Sequence, residues 1–381
     1  MHDLEDLLSE IALANKGGLG DGYEIGNVYA LRYIAGAVPP DEQLRTDVAR
    51  ILDLLNDLYS RDQTKLPMPD KPILNSAYTA GDALADLFID PTVFNDILAL
   101  LKRRKNVVLQ GPPGVGKTFM AKLIAYALIG SKSPTQIEWV QFHQSYSYED
   151  FIQGYRPSAA GHFILKYGIF YEFCKLAEGH AKDVNFVFII DEINRGNLSR
   201  IFGETLSLIE ADKREDLKVT LAYSDESVEG VEGPKRGKGE QFTIPSNVYI
   251  IGLMNTADRS LAIVDYALRR RFAFVDIRPC FDNQQFRDLL AAKNISTELI
   301  ERISTRISAL NERIRADTRN LGAGFEIGHS FFCPQERVVD EEYWYKTIIK
   351  YEIKPLLQEY WFDDPEKATR EVKRLTGEDP D

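Results

Sequence analysis

One stretch dictates most of what this chain can become: NVVLQGPPGVGKTFM, residues 106–120. It reads as a buried strand from Asn106 to Gln110, a glycine-rich loop from Gly111 to Gly116, and a helix opening at Lys117 and Thr118. The loop satisfies G-x-x-x-x-G-K-[ST] at every fixed position. Glycines at 111, 114 and 116 let the backbone bend until several N–H groups face one point, and the helix N-terminus adds partial positive charge there. A lysine at that corner reaches the β- and γ-phosphates of a nucleotide, and the hydroxyl beside it ligates Mg²⁺. Gly111, Pro112, Pro113, Gly114, Val115, Gly116, Lys117, Thr118 and Phe119 are therefore the expected nucleotide contacts, with Thr118 also on the metal.

Four more short apolar runs follow: EWVQF (138–142), FVFII (186–190), NVYIIGL (247–253) and FAFVDI (272–277). With Asn106–Gln110 they make five strands, mostly apolar throughout and separated by helical or loop segments. That pattern predicts an α/β core with a five-stranded parallel sheet buried on both faces and flanked by helices. Ligands of such sheets bind at the carboxyl ends of the strands. A helical pattern covers Thr79 to Arg104, another covers Phe119 to Ile129 and stops at Gly130, and residues 156–168 suit a hairpin around SAAG. Residues 224–241 read as an exposed loop. Beyond Pro279 the chain is mainly helical, with apolar periodicity at 284–292, 296–313 and 343–361. Expected domains are a small, mainly helical N-terminal segment (1–80), the α/β core (81–280) and a helical lid (281–381).

The strand ends carry the remaining chemistry. FVFII ends in Asp191-Glu192, which places two carboxylates beside the phosphate loop. Asp191 is the expected Mg²⁺ partner and Glu192 the general base, or positioner, for the attacking water. Asn255 closes the fourth strand, where it either holds that water or the γ-phosphate or caps the turn. DYALRRRF carries Arg269, Arg270 and Arg271 ahead of the fifth strand. An arginine supplied in trans to a neighbour's γ-phosphate stabilises transition-state charge, an effect of roughly 10³–10⁵ in rate. His143, Tyr146 and Tyr148 suit either a pore lining or simple packing, and His329 in GFEIGHSFF either a lid sensor or a structural role.

Phosphate loop, paired acids, strand-end asparagine and later arginines, in this order, resemble the AAA+ ATPases. FHQSYSYEDFIQGYRP (142–157), IIDEINRGNLSRIFGE (189–204), MNTADRSLAIVDYALRRRF (254–272) and EYWFDDP (359–365) more closely resemble the McrB family, the NTP-driven motor subunits of McrBC-type modification-dependent restriction systems. The resemblance runs from about Asp82 to Pro365. It implies an AAA+ core with a C-terminal helical lid, a homo-oligomeric, hexameric ring with sites between subunits, and hydrolysis of GTP with Mg²⁺. It also implies translocation on DNA and a partner McrC-like endonuclease. Lys117 and Thr118 match the Walker A pair, Asp191 and Glu192 the Walker B pair, Asn255 the first sensor, and Arg270 and Arg271 the arginine fingers. Asp258 and Arg259 fall in the family's NTAD-R signature. ATP stays open as the nucleotide, because no N-K-x-D guanine motif is present. An ATP-hydrolysing, MoxR-like remodeller of a protein partner is the alternative function.

Composition narrows the field further. A formal net charge of −12 argues against a protein that coats nucleic acid over its whole surface. It leaves room for local basic linings at Lys102–Lys105 and Lys235–Lys238. Cys174, Cys280 and Cys333 are far apart and odd in number, which suits a reducing compartment and shows no metal-ligand spacing. No apolar run is long enough to span a membrane, and the acidic start MHDLEDLLSE is unlike a signal peptide, so a cytoplasmic location is expected. No nuclease motif is evident, so cleavage is assigned to a partner.

Overall fold

The computed structural model describes residues 77–157, 162–223, 241–258 and 266–378. Expectations for residues 1–76, the SAAG turn, the 224–240 loop and Arg259 fall outside these ranges.

Nine strands are found among the described residues: β1 (Asn106–Gly111), β2 (Ile137–Gln141), β3 (Gln153–Pro157), β4 (Phe163–Tyr167), β5 (Phe186–Asp191), β6 (Val219–Thr220), β7 (Gln241–Phe242), β8 (Val248–Asn255) and β9 (Ala273–Asp276). Five of them form the central sheet in the order β2-β5-β8-β1-β9, and every pairing is parallel. β3 and β4 form the expected antiparallel hairpin, and β6 and β7 a second, smaller one.

The apolar runs explain the layering. Along β5, Phe186, Phe188 and Ile190 enter one core cluster, while Val187 and Ile189 enter the other. Successive side chains of a strand point to opposite faces, so a strand buried on both faces must be apolar at every step. β8 divides in the same way, Val248 and Ile250 to one face and Tyr249, Ile251 and Leu253 to the other. The first face centres on stacked and edge-on rings of Phe151, Phe170, Phe188 and Phe202. The second is closed by helices Ala80–Asp86, Pro91–Arg104 and Lys117–Ile129.

The single helical pattern read over 79–104 is two helices. Asp90 caps the second by accepting from Thr92 N at 2.7 Å, and Pro91 starts it. A proline at the first helical position keeps the residue before it out of helical conformation. The pattern at 343–361 is likewise broken, into Glu341–Ile348, a π-helical turn Ile349–Ile353, and Lys354–Tyr360. Together with Gln284–Ala292, Thr297–Ala316 and Pro365–Thr376 these build the lid around buried Trp361, Tyr345 and Phe286.

Phe151 is fully buried among five aromatic rings. Phe151→Ala should lower unfolding free energy by about 3–5 kcal/mol, the range for truncating a well-packed core phenylalanine. Denaturant melts followed by far-UV circular dichroism measure it.

Candidate functional site

The phosphate loop leaves β1 at Gly111 and enters the helix Lys117–Ile129 through Gly116. Gly114 and Gly116 hold φ of 76° and 75°, left-handed values that a side chain resists. Lys117 Nζ donates to two carbonyls of its own loop, Gly111 O at 2.9 Å and Pro112 O at 2.8 Å. Burial pushes its pKa down to about 8 despite the opposing pull of Glu192, Asp191 and Asp258. Thr118 and Phe119 lie exposed on the first helical turn, so the Thr118 hydroxyl is accessible.

Both acids sit at the end of β5. Asp191 Oδ1 accepts from Glu192 N at 2.9 Å, and Glu192 takes a left-handed backbone, φ 49°. Burial, then Asp258 and Asp191, push the Glu192 carboxyl above its ordinary range, with Arg195 pulling the other way. Its buried Oε2 accepts no well-aligned hydrogen bond, although Arg195 Nε stands 3.2 Å away as an ion pair. A raised carboxyl and an open lone pair at a strand end suit proton abstraction from water. For a divalent ion, Thr118 and Asp191 supply one hydroxyl and one carboxylate. No cluster of three His, Cys, Asp or Glu among the described residues is arranged to hold a metal alone. Sparse oxygen donors fit Mg²⁺, which keeps waters and takes phosphate oxygens to complete its shell.

β8 delivers Asn255 opposite Gly111 in the strand register. Its Oδ1 accepts from Ala257 N at 3.3 Å, so in the free chain it caps the turn. Asp258 binds Arg195 Nη2 at 2.8 Å. Arg195 thus bridges Glu192 and Asp258, a link absent from the sequence reading. Its signal was available: a cation three residues past the acid at the end of a buried strand.

Arg270 and Arg271 lie elsewhere. They close the helix Tyr266–Arg271, beside the first residues of β1. Gly111 is five strand steps on from Asn106, roughly 17 Å at about 3.3 Å per residue. A single chain therefore keeps these arginines at the opposite end of the sheet from its own phosphate loop.

The lid reaches the loop directly. Gly328 N donates to Pro113 O at 3.1 Å, and Ser330 N to Gly114 O at 2.8 Å. A Cβ on Gly328 would lie 1.9 Å from Gly114 C, and one on Gly114 would lie 2.5 Å from the Phe331 ring. The lid residue with the tightest approach is thus Gly328. His329 is buried against Phe88, Phe281 and Phe286, accepts from Cys280 N at 3.2 Å, and is pushed by burial down to about 4. It is a neutral packing residue. Tyr148 is also structural, its hydroxyl donating to Glu204 at 2.7 Å, and Tyr146 packs on Phe142 and Phe151, whereas His143 is exposed.

The model of the AAA domain, dynein-related subfamily, matches residues 106–272, and that of the McrB alpha-helical lid domain matches residues 302–369. Over 340 residues the chain is 47% identical to the EcoKMcrB subunit of the type IV methyl-directed restriction enzyme of Escherichia coli K12, covering 87% of this chain and 71% of that one. The chain belongs to the McrB family. It is also 27% identical over 198 residues to the YdiS component of the type II restriction enzyme BsuMI of Bacillus subtilis 168, covering 45% of this chain and 56% of that one. As a McrB-like protein it is an AAA+ motor subunit of a restriction system, and its AAA domain is a nucleotide-hydrolysing module that uses Mg²⁺. No helix among the described residues is long and apolar enough to cross a membrane.

Two outcomes follow from this geometry. Gly328→Ala should lift the lid from the phosphate loop and weaken triphosphate binding by tenfold or more, about 1.4 kcal/mol, with the melting temperature changed little. Fluorescent-nucleotide titration measures it. Since Lys117 loses its proton as pH rises through about 8, affinity of the free chain for triphosphate should fall across that interval. Lys117→Ala should bind weakly at every pH and show no such fall.

Proposed function

We propose that this chain is the GTPase of a McrBC-type restriction system: it assembles into a ring, hydrolyses GTP between protomers, and drives a McrC-like endonuclease along DNA. The observation that carries this reading is the split site. Lys117, Thr118, Asp191 and Glu192 gather at the carboxyl end of the sheet, while Arg270 and Arg271 stand at the other end. A hexameric ring brings the arginine edge of one protomer to the phosphate edge of the next.

In that arrangement Lys117 gives up its two loop carbonyls and takes the β- and γ-phosphates. Glu192 accepts a proton from the attacking water, which Asn255 orients once it leaves its turn. Arg270 and Arg271 of the adjoining protomer meet the negative charge that develops on the γ-phosphate. Thr118 and Asp191 would hold Mg²⁺, which would neutralise phosphate charge. Asp258 acts through Arg195, setting the charge balance around Glu192, and Arg259 belongs to the same segment. GTP is chosen over ATP on the resemblance to the McrB family, and a nuclease partner over a remodelled protein because the E. coli relative is a restriction-enzyme subunit.

Glu192→Gln should retain GTP binding and reduce kcat by at least 10²-fold, in the manner of losing a general base. Steady-state hydrolysis of GTP against ATP, with and without the cognate nuclease subunit, tests the substrate. Faster GTP turnover that the nuclease stimulates is expected. Preference for ATP with no response to the nuclease would overturn the reading in favour of a MoxR-like remodeller.

A further inference from the structure

Arg270 and Arg271 do not stand alone. Both converge on one carboxylate oxygen, Glu210 Oε1, with Arg270 Nη2 at 3.1 Å and Arg271 Nε at 3.0 Å. Lys213 Nζ takes the other oxygen at 2.9 Å. Burial would raise the Glu210 carboxyl, but Lys213, Arg271 and Arg270 outweigh it and hold the group ionised. Two guanidiniums this close repel each other; a shared carboxylate is what allows them to lie side by side. Their exposures differ: the Arg271 side chain is 10% exposed and that of Arg270 65%. Arg271 is the more enclosed of the pair and Arg270 the more exposed.

The backbone beneath them is fixed as well. Arg104 Nη2 donates to Arg270 O at 2.6 Å, and Asn106 Nδ2 to Arg271 O at 3.1 Å. Asn106 also donates to Ile209 O at 2.6 Å, next to Glu210, and accepts from Arg214 Nη2 at 2.6 Å. Arg214 is 4% exposed, and the carbonyls of Ile209 and Val248 take its other donors. A fully buried guanidinium is costly unless its donors are satisfied, and here they are spent on tying the heads of β1 and β8 to the turn carrying Glu210. Asn106 opens the strand that ends in the phosphate loop. One strand therefore joins a protomer's own nucleotide site to the arginines it offers outward.

We propose that Glu210 is a positioning residue that aims Arg270 and Arg271 at the neighbouring protomer's nucleotide, with Asn106 and Arg214 anchoring this arginine mount to the head of β1. The proposal rests on the trans-arginine reading above. Misplacing a catalytic group by about 1 Å costs up to about 10²-fold in rate. Glu210→Ala should therefore lower kcat for GTP by about ten- to a hundredfold while KM stays within about twofold. Glu210→Gln, which keeps the shape and loses the charge, should fall between that variant and the parent.

The deciding experiment mixes chains. Glu210→Ala protomers retain an intact phosphate loop, and Lys117→Ala protomers retain an intact arginine mount. Mixed rings should recover turnover, because each Glu210→Ala site then meets a correctly held arginine pair. Arg270→Ala and Arg271→Ala, each mixed with Lys117→Ala, run alongside. If neither arginine variant is rescued, the trans reading itself fails. If either is rescued but Glu210→Ala keeps the parent kcat, or loses turnover without rescue, the positioning role is overturned and the trans reading stands. Should Glu210→Ala not fold, Glu210→Gln decides by the same criteria.

Discussion

Parallel pairing of β1 with β8 and β9 is the constraint on which the rest depends. It sets Gly111 across from Asn255 and Val107 across from Ala273. The first pairing gathers the phosphate loop and the strand-end groups at one edge of the sheet. The second places the arginines that precede β9 at the other edge. Since β1 is hydrogen-bonded on both sides and packed on both faces, a one-residue slip would send Val107, Val108 and Leu109 each into the opposite core cluster and take Gly111 out of register with Asn255. The division of these groups between two edges is thus held by the core.

Within the phosphate edge, charge is balanced among few groups. Lys117 faces three carboxylates, those of Asp191, Glu192 and Asp258, and Arg195 lies between the last two. In the proposed reaction an incoming triphosphate would change that balance. It would draw Lys117 from the carbonyls of Gly111 and Pro112 and alter the field on Glu192. The lid is part of the same unit, because Gly328 and Ser330 donate to the carbonyls of the loop that bends around the phosphates. Loop and lid are therefore joined by two backbone hydrogen bonds and a contact that only glycine permits.

Much of this was legible in the sequence because it depends on local pattern. Glycine spacing and the strand before it announce the loop, and an apolar run ending in Asp191-Glu192 announces the acids. Strand ends shifted by a residue or two, as β8 runs on to Asn255, because hydrogen bonding continues past the apolar residues. The break at Leu87–Asp90 was hidden because apolar spacing on either side stays in phase, and only Pro91 marks it. Contacts between distant segments were not legible. Nothing local in Glu210 indicates two arginines some sixty residues later, and nothing in GFEIGHSFF tells that Gly328, rather than His329, meets the phosphate loop. Arg214 gives no sign in sequence of being a buried strut, since it lies in a charged run with Asp212, Lys213, Glu215 and Asp216.

If the arginines act in trans, a single chain holds an incomplete site. GTP hydrolysis per chain, measured across a dilution series that spans assembly, tests it most directly. The specific rate should be near zero where the chain is monomeric and rise steeply to a plateau as rings form, in step with mass measured on the same samples. A specific rate that stays constant down to fully monomeric chain would contradict it.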